Sequence, residues 1–458
     1  MNWIDLRVHF IGIGGSGMSG LARIMVARGA IVSGSDLHES PALDALRNLG
    51  VKIQVGHEAA NVVNAEIVIR SSAIPDSNPE IQRAIADGIK VLGRAEALAQ
   101  LMIGKRSIAI AGTHGKTTTT SMLTVALQHC GLDPSFAIGA TVRNSGTNAH
   151  HGSGDIFVVE ADESDGSFTS YHPEGALITN IELDHVDNFK DLASIDALFD
   201  EFVATVGRTL VICTDDLGAQ RLLERLTLKS SNRLKLLTYG FTGDPDLLID
   251  RVLLNPRNAI ARLTLRGRIL GEVKLAIPGR HNLLNAAGAL LIASQFGANI
   301  NDAIAGLSSF TGARRRFEIK GSVGGITVID DYGHHPTEIR ATLETARNFA
   351  GSGRVLTIFQ PHRFSRTQAF AAEFAEELAK ADHTYLLEVY SAGETPITGA
   401  TSNSIAVRMM GNVTYEPSMP EVISQVISEA RAGDVILTLG AGDVSALGPL
   451  ILENLQSR

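Results

Sequence analysis

The sequence predicts an α/β protein of three domains with parallel sheets, the middle sheet mixed. Three observations predict it. Short apolar runs alternate with amphipathic segments along most of the chain, the pattern of doubly wound parallel sheets. Glycine-rich turns follow two of those runs and open helices. The chain has 458 residues, enough for about three domains at ~150 residues each.

Residues 7–100 carry the first series. Apolar runs at Val8–Ile13, Ala30–Val32, Ile67–Ile69 and Lys90–Leu92 read as strands, and Met18–Arg28 and Pro41–Leu49 as helices between them. A second series starts at Ser107–Ala111, followed by a helix over Thr117–His129 with Met122, Leu123, Ala126 and Leu127 on its apolar side. Ile156–Val159 and Ala176–Thr179 are further strands. From Leu234 to Ile277 the texture changes. Ala259–Leu265 alternates apolar and polar residues at period two, which reads as an antiparallel strand, and helix resumes over Leu283–Gln295. A third series starts near Phe317, with strands at Ile326–Ile329, Val355–Phe359, Thr384–Leu387 and Val435–Leu439. Ile339, Leu343, Ala346 and Phe349 share one helix face, and Phe370, Phe374 and Leu378 another. The boundaries fall near Gly104 and Ala313, dividing the chain into 1–104, 105–312 and 313–458.

Composition removes several classes of function. There are 40 Lys and Arg against 49 Asp and Glu, a net charge of −9, whereas a general nucleic-acid binder shows a basic excess. Aromatic residues are 5% of the chain, too few to suggest stacking platforms for single strands. Apolar stretches are short and broken by glycine or charge, so no membrane span is expected. The first residues lack a basic region and a small-residue cleavage site, so no secretory signal is expected. The two cysteines, Cys130 and Cys213, lie far apart, which argues against a disulfide framework and fits a reduced, cytoplasmic compartment.

Six motifs carry chemistry. Gly12-Ile13-Gly14-Gly15-Ser16-Gly17 follows a strand and opens a helix, and Asp36 ends the next strand. Glycine lets backbone amides approach a pyrophosphate at the helix N-terminus, and Asp36 is placed to bond a ribose hydroxyl. The pattern says nucleotide diphosphate and leaves open which nucleotide; a nicotinamide cofactor is one reading. Gly112-Thr113-His114-Gly115-Lys116-Thr117 also joins a strand to a helix. Lys116 is the phosphate-binding lysine of such a loop and Thr117 its Mg²⁺-ligating hydroxyl, although Ile110 stands where the full pattern has glycine. Glu160-Ala161-Asp162-Glu163-Ser164-Asp165 places four carboxylates beyond a buried strand, where they repel one another unless a cation is present. Glu160 is the first candidate ligand; a solvated acidic turn is the plain alternative. Thr179-Asn180-Ile181-Glu182-Leu183-Asp184-His185 again follows an apolar strand, and His185 suits a second Mg²⁺ or a phosphate. His281-Asn282-Leu283-Leu284-Asn285 offers amides to an adenine edge, or a helix start capped by Asn282.

The sixth motif lies in the last third of the chain. Asp331-Tyr332-Gly333-His334-His335-Pro336 and Gln360-Pro361-His362-Arg363-Phe364-Ser365-Arg366 each follow a strand. Arg363 and Arg366 can clamp a carboxylate or phosphate. His334 and His335 lack the neighbouring cysteine, histidine or acid spacing of a zinc site. Arg314-Arg315-Arg316 is a solvated face or a phosphate contact, both readings standing equally.

Three of these stretches, Gly112–Thr118, Glu160–Asp165 and Gly279–Asn285, resemble the Mur ligases, three-domain ATP-dependent amide ligases of peptidoglycan synthesis. His9–Met18, Asp331–Glu338 and Phe359–Arg363 extend the resemblance, which runs from about Val8 to Gly442. It implies a Rossmann-like N-terminal domain, a central P-loop-type ATPase-like domain and a Rossmann-like C-terminal domain. The nucleotide of the first domain is then UDP, with UDP-N-acetylmuramate as substrate. Gly14, Gly15, Ser16, Gly17 and Met18 would meet its pyrophosphate, with Asp36, Ser72 and Ala73 near and Asn180 also substrate-facing. ATP would lie on Gly112, Thr113, His114, Gly115, Lys116, Thr117 and Thr118, with His281, Asn282 and Asn285 at the adenine side and Asp331 at the ribose. Thr117 and Glu160 would hold one Mg²⁺ and His185 a second. His334, Arg363 and Arg366 would face the incoming amino acid, L-alanine, and the acyl group, with His185 or His334 as general base. Some relatives carry a carbamoylated lysine at the second metal, and the alignment puts Arg208 there. A monomer or homodimer is expected.

Overall fold

The computed structural model describes residues 2–228 and 233–457. They form three sheets of five, ten and six strands.

The first sheet runs Lys52–Val55, Ile31–Asp36, Arg7–Ile11, Ile67–Arg70, Lys90–Gly93, all parallel. Its central strand is buried from Val8 to Ile11, which is why it reads as an unbroken apolar run. The edge strand Lys52–Val55 is mostly exposed and carries no such signal, so the sequence reading did not find it.

The middle of the second sheet is parallel, in the order Lys235–Gly240, Thr209–Cys213, Gly175–Ile178, Arg106–Ala111, Ile156–Glu160, Ser135–Val142. Thr147–His150 closes one edge antiparallel. At the other, Leu247–Asn255 continues parallel, and Asn258–Leu265 and Arg268–Leu275 fold back as an antiparallel meander. The period-two alternation of Ala259–Leu265 is the sequence trace of that meander: Ala259, Ala261 and Leu263 face the core. The sheet is mixed, as the sequence implies.

The third sheet runs Glu318–Val323, Ile326–Asp331, Val435–Leu439, Val355–Phe359, His383–Leu386, Val413–Tyr415, with only the first strand antiparallel. That strand is partly or fully exposed along its length and was likewise silent in the sequence.

Ligands of open α/β sheets bind beyond the carboxyl ends of the strands. In the second sheet those ends carry the Gly112–Gly115 turn, Glu160 and the Thr179–His185 loop; in the third they carry Asp331 and Gln360. The two sets face each other across a seam between the sheets. One correction follows from strand direction. Arg208 precedes the strand Thr209–Cys213, at its amino end, and bonds Glu174 (2.6 Å) and the Gln295 carbonyl (2.8 Å). It therefore lies at the edge opposite Glu160 and His185, and does not stand where a second cation-binding group is needed.

The helix Leu217–Leu228 packs its first turn on the loop that leads to His185. A Cβ on Gly218 would lie 1.9 Å from the Ile181 carbonyl oxygen. Gly218→Ala should therefore destabilise the protein by about 1–3 kcal/mol, as overpacking does. The check is the urea unfolding midpoint; an unshifted midpoint would show that the loop yields freely.

Candidate active site

The strand Arg106–Ala111 ends in a turn that only glycine can make. Gly112 has φ +134°, and a Cβ there would lie 2.0 Å from Thr179 Oγ1. The turn is braced from the neighbouring strand end. Asn180 accepts from the His114 amide (2.7 Å) and donates to the His114 carbonyl (2.9 Å), and Thr179 donates to the same carbonyl (2.6 Å). Asn180 thus holds the turn with both of its side-chain polar atoms. Gly115 precedes the helix Lys116–His129, whose first amides point into the turn. Lys116 Nζ donates to the carbonyls of Gly112 (2.6 Å) and Thr113 (3.0 Å) and to Glu163 (2.7 Å).

Oxygen ligands gather beside it. Thr117 Oγ1 donates to Glu160 Oε1 (2.8 Å), and Glu160 Oε2 accepts from the Gly139 amide (2.7 Å). Ligand atoms of Asp162, Glu163 and His185 lie within 4.8 Å of one another. Burial pushes the Glu163 carboxyl up to about 7 against the pull of Lys116. Its Oε1 is buried with no hydrogen-bond partner among the described residues. An orphaned carboxylate oxygen beside two more carboxylates and a hydroxyl suits a hard cation.

The seam with the third sheet is closed by charge. Arg366, 3% exposed, donates Nε to Asp184 Oδ1 (2.8 Å), and its Nη2 lies 2.7 Å from the same oxygen; Asp184 is 4% exposed. Burial pushes the Asp184 carboxyl up, and the Arg366 guanidinium outweighs it and holds it well below the usual range. Arg363 pairs with Asp187 and stands 3.6 Å from Glu394. Thr337 donates to Glu182 (2.6 Å). His334 Nε2 lies 3.9 Å from Asp184 Oδ2, and burial lowers His334 to about 3; burial also lowers His185. Both imidazoles are thus neutral and keep a lone pair. His114 lies between Glu182 and Glu338, 3.5 Å from each. Burial lowers it, but the two carboxylates prevail and raise it to about 10.

Next to the turn lies a cleft of about 300 Å³ walled by both domains, among them Gly115, Thr118, Asn285, Phe310, Phe317 and Asp331. His281 and Asn282 also line it. Asn282 is not the helix cap: the helix Arg280–Gln295 starts after Gly279, and Asn282 Nδ2 donates to the Pro278 carbonyl (2.7 Å). Asp331 accepts from the Phe317 amide (2.7 Å), the Gly333 amide (2.8 Å) and Thr342 Oγ1 (3.1 Å), and burial raises it to about 6.

In the first domain the Gly12–Gly17 turn hangs on the next strand: the amides of Gly12 and Ile13 donate to the Ser35 carbonyl (2.9 and 3.0 Å). Asp36 accepts from the Gly14 amide (2.8 Å), so its carboxylate braces the turn. Gly14, Gly15, Ser16 and Gly17 remain partly or fully exposed, as do Ser72 and Ala73, whereas the Met18 side chain is buried in the core. A small cleft of about 70 Å³ joins Ser16 and Gly17 to Glu160 and Asp162, with Arg94 in its wall.

The sequence reading did not single out Arg94, Asp184 or Glu338. Nor did it decide the Arg314–Arg316 run. Arg314 is exposed, Arg315 donates to the Gly440 carbonyl (2.6 Å), and Arg316 reaches Thr117 Oγ1 (3.5 Å) and Glu338 (3.5 Å). Of the three side chains, Arg316 reaches across the seam, Arg314 is solvated and Arg315 bonds within the third domain. The run's position just past a suspected boundary was the one available signal.

A glycine turn before Lys116-Thr117, a cation-suited acid set and a covering domain with Arg366 buried at the seam fit an ATP-dependent ligase. Three family models match in chain order: the Mur ligase family catalytic domain over residues 7–106, the Mur ligase middle domain over 110–293, and the Mur ligase glutamate ligase domain over 315–442. The chain belongs to the Mur ligase family. It is 47% identical to a UDP-N-acetylmuramate–L-alanine ligase of Acidothermus cellulolyticus, over 99% of this chain and 95% of the relative. A UDP-N-acetylmuramate-alanine ligase from Thermotoga maritima superposes with a TM-score of 0.80 at 29% identity, over 99% of both chains. A murein peptide ligase from Psychrobacter arcticus shares the fold, with a TM-score of 0.72 at 24% identity over 98% of both chains.

Two outcomes test these electrostatics. Arg366→Ala leaves Asp184 buried without its partner and should cost about 3–5 kcal/mol of unfolding free energy, read by urea titration. His114 is raised to about 10 in the fold, against ~6.5 unfolded, so its contribution is complete below ~pH 6.5 and is lost as pH rises through the folded value. The stability gap between the metal-free wild type and His114→Gln should therefore narrow from pH 6.5 to 10. A gap that widens or stays flat would refute the assignment.

Proposed function

We propose that this chain joins L-alanine to the lactyl carboxylate of UDP-N-acetylmuramate, with ATP converted to ADP and phosphate and UDP-N-acetylmuramoyl-L-alanine as product. The observation that carries the proposal is 47% identity along 99% of the chain to a relative named for that reaction. The division 1–104, 105–312 and 313–458 is supported by the three sheets and by where the family models break. A monomer or a homodimer is the expected assembly. No helix among the described residues is long and apolar enough to cross a membrane, and a cytoplasmic location accords with two unpaired cysteines.

The roles follow from position. The Gly12–Gly17 turn presents backbone amides to the UDP pyrophosphate, and Arg94 in the adjoining wall adds positive charge towards Glu160 and Asp162. The cleft of Phe310, Phe317, Asn282 and Asn285 takes the adenine, with Asp331 at the ribose. Lys116 and the first amides of its helix hold the phosphates. Thr117, Glu160 and His185 with its carboxylate neighbours would hold Mg²⁺, which when bound neutralises phosphate charge as it shifts. Two anions must approach each other when the carboxylate is phosphorylated, so Lys116 is needed at that point. The acyl phosphate is then attacked by the L-alanine amine, which must be neutral. With His185 beside Mg²⁺, His334, neutral through burial, is the available base; Arg363, half-buried, is the arginine placed to meet a carboxylate, and Arg366, buried against Asp184, holds the loop instead. The closed seam keeps water from the acyl phosphate.

ADP release should require UDP-N-acetylmuramate and L-alanine together, at one ADP per amide. Lys116→Ala should lower kcat at least ~100-fold, the scale of losing one donor to developing charge. Turnover with murein tripeptide in place of L-alanine would overturn the acceptor assignment.

A further inference from the structure

We propose that His114, Glu182 and His335 form a binding site for one divalent cation of the zinc class, straddling the central and C-terminal domains. The three side chains come from three separate loops: the phosphate-binding turn, the strand end before His185, and the start of the helix Pro336–Ala350. One ligand atom from each lies within 4.8 Å of the others. Glu182 Oε2 is 3.5 Å from His114 Nε2 and 3.7 Å from His335 Nδ1, and the two rings lie tilted at 34°, 4.6 Å between centroids.

Two further observations point to a ligand. The Nε2 atoms of His114 and His335 are both buried without a hydrogen-bond partner among the described residues, in side chains 9% and 6% exposed. Coordination at His114 Nε2 would remove the cost of that orphaned atom, and His335 would ligate through Nδ1, which otherwise accepts from the Thr337 amide (3.4 Å). Glu338 lies 3.5 Å from the opposite ring nitrogen, His114 Nδ1. A carboxylate on Nδ1–H is the outer contact that orients a metal-binding histidine, and a cation at Nε2 would displace the proton that His114 carries there in the metal-free chain. Two imidazoles and one carboxylate are a donor set for zinc and its neighbours, whereas Mg²⁺ takes mainly oxygen ligands. His114 and Glu182 also line the nucleotide cleft, so a fourth position opens towards it. The local sequence around His335 lacks a matching acid and histidine because both come from the other domain.

Calorimetric titration of ZnCl₂ into the ligand-free chain, with Mg²⁺ in large excess, tests the proposal. One equivalent should bind and should raise the melting temperature. His335→Ala and Glu182→Gln should each weaken zinc binding at least ~10-fold, the scale of losing a coordinating group. Glu163→Gln, which alters the other cluster, should retain it. Melts without zinc show whether each variant folds. If both variants unfold, the spectrum of Co²⁺ bound to the Glu163→Gln chain decides: intense tetrahedral-type absorption supports the site and weak octahedral-type absorption overturns it. Absence of a bound equivalent, unchanged binding in His335→Ala, or loss in Glu163→Gln alone also overturns it.

Discussion

The buried pair between Arg366 and Asp184 is the contact on which the site's arrangement depends. Its members are 182 residues apart and sit on different sheets. A buried ion pair adds little net stability, because desolvating two charges offsets most of their attraction. It does fix geometry, since either charge left alone is costly. Asp184 belongs to the loop that carries Glu182 and His185, and Arg366 to the short helix after Val355–Phe359. Their pairing therefore decides which residues face each other. Thr337 then meets Glu182, and His334 stands over Asp184.

Charge is the common material of the seam. Glu338 lies against His114, His334 and Arg316, and Glu182 against His114 and His335. The carboxylates come from both domains and so do the cations. Separated, each domain would expose an unbalanced cluster to water; joined, the clusters neutralise one another in a poorly solvated space. The same poor solvation strengthens any electrostatic contact made to a bound phosphate.

What could be read from the sequence was local. Gly112–Thr117, Glu160 and His185 declare themselves because each follows an apolar run and its chemistry lies within a few residues. The parallel cores were legible for the same reason, since a strand buried on both faces is apolar throughout. Lys52–Val55 and Glu318–Val323 were not, because edge strands with exposed faces carry no such run. Arg94, Asp184 and Glu338 were missed because their meaning lies in partners far along the chain. The alignment that put Arg208 at the carbamoylated-lysine position failed for a related reason: counting along the sequence does not reveal at which end of a strand a residue stands.

The contact between the first domain and the middle one has a consequence for selectivity. The helix Ser16–Ala27 lies so close to Thr147–His150 that a Cβ on Gly20 would stand 3.0 Å from Ala149 Cβ, and Asn148 Nδ2 donates to the Ser16 carbonyl (2.8 Å). Small residues at the join leave it little play. The Gly12–Gly17 turn and the acid set at Glu160 are then held a constant distance apart, and the helix between them works as a ruler. In the proposed reaction, a nucleotide sugar held at the turn by its diphosphate is measured by the length of the arm that carries its carboxylate.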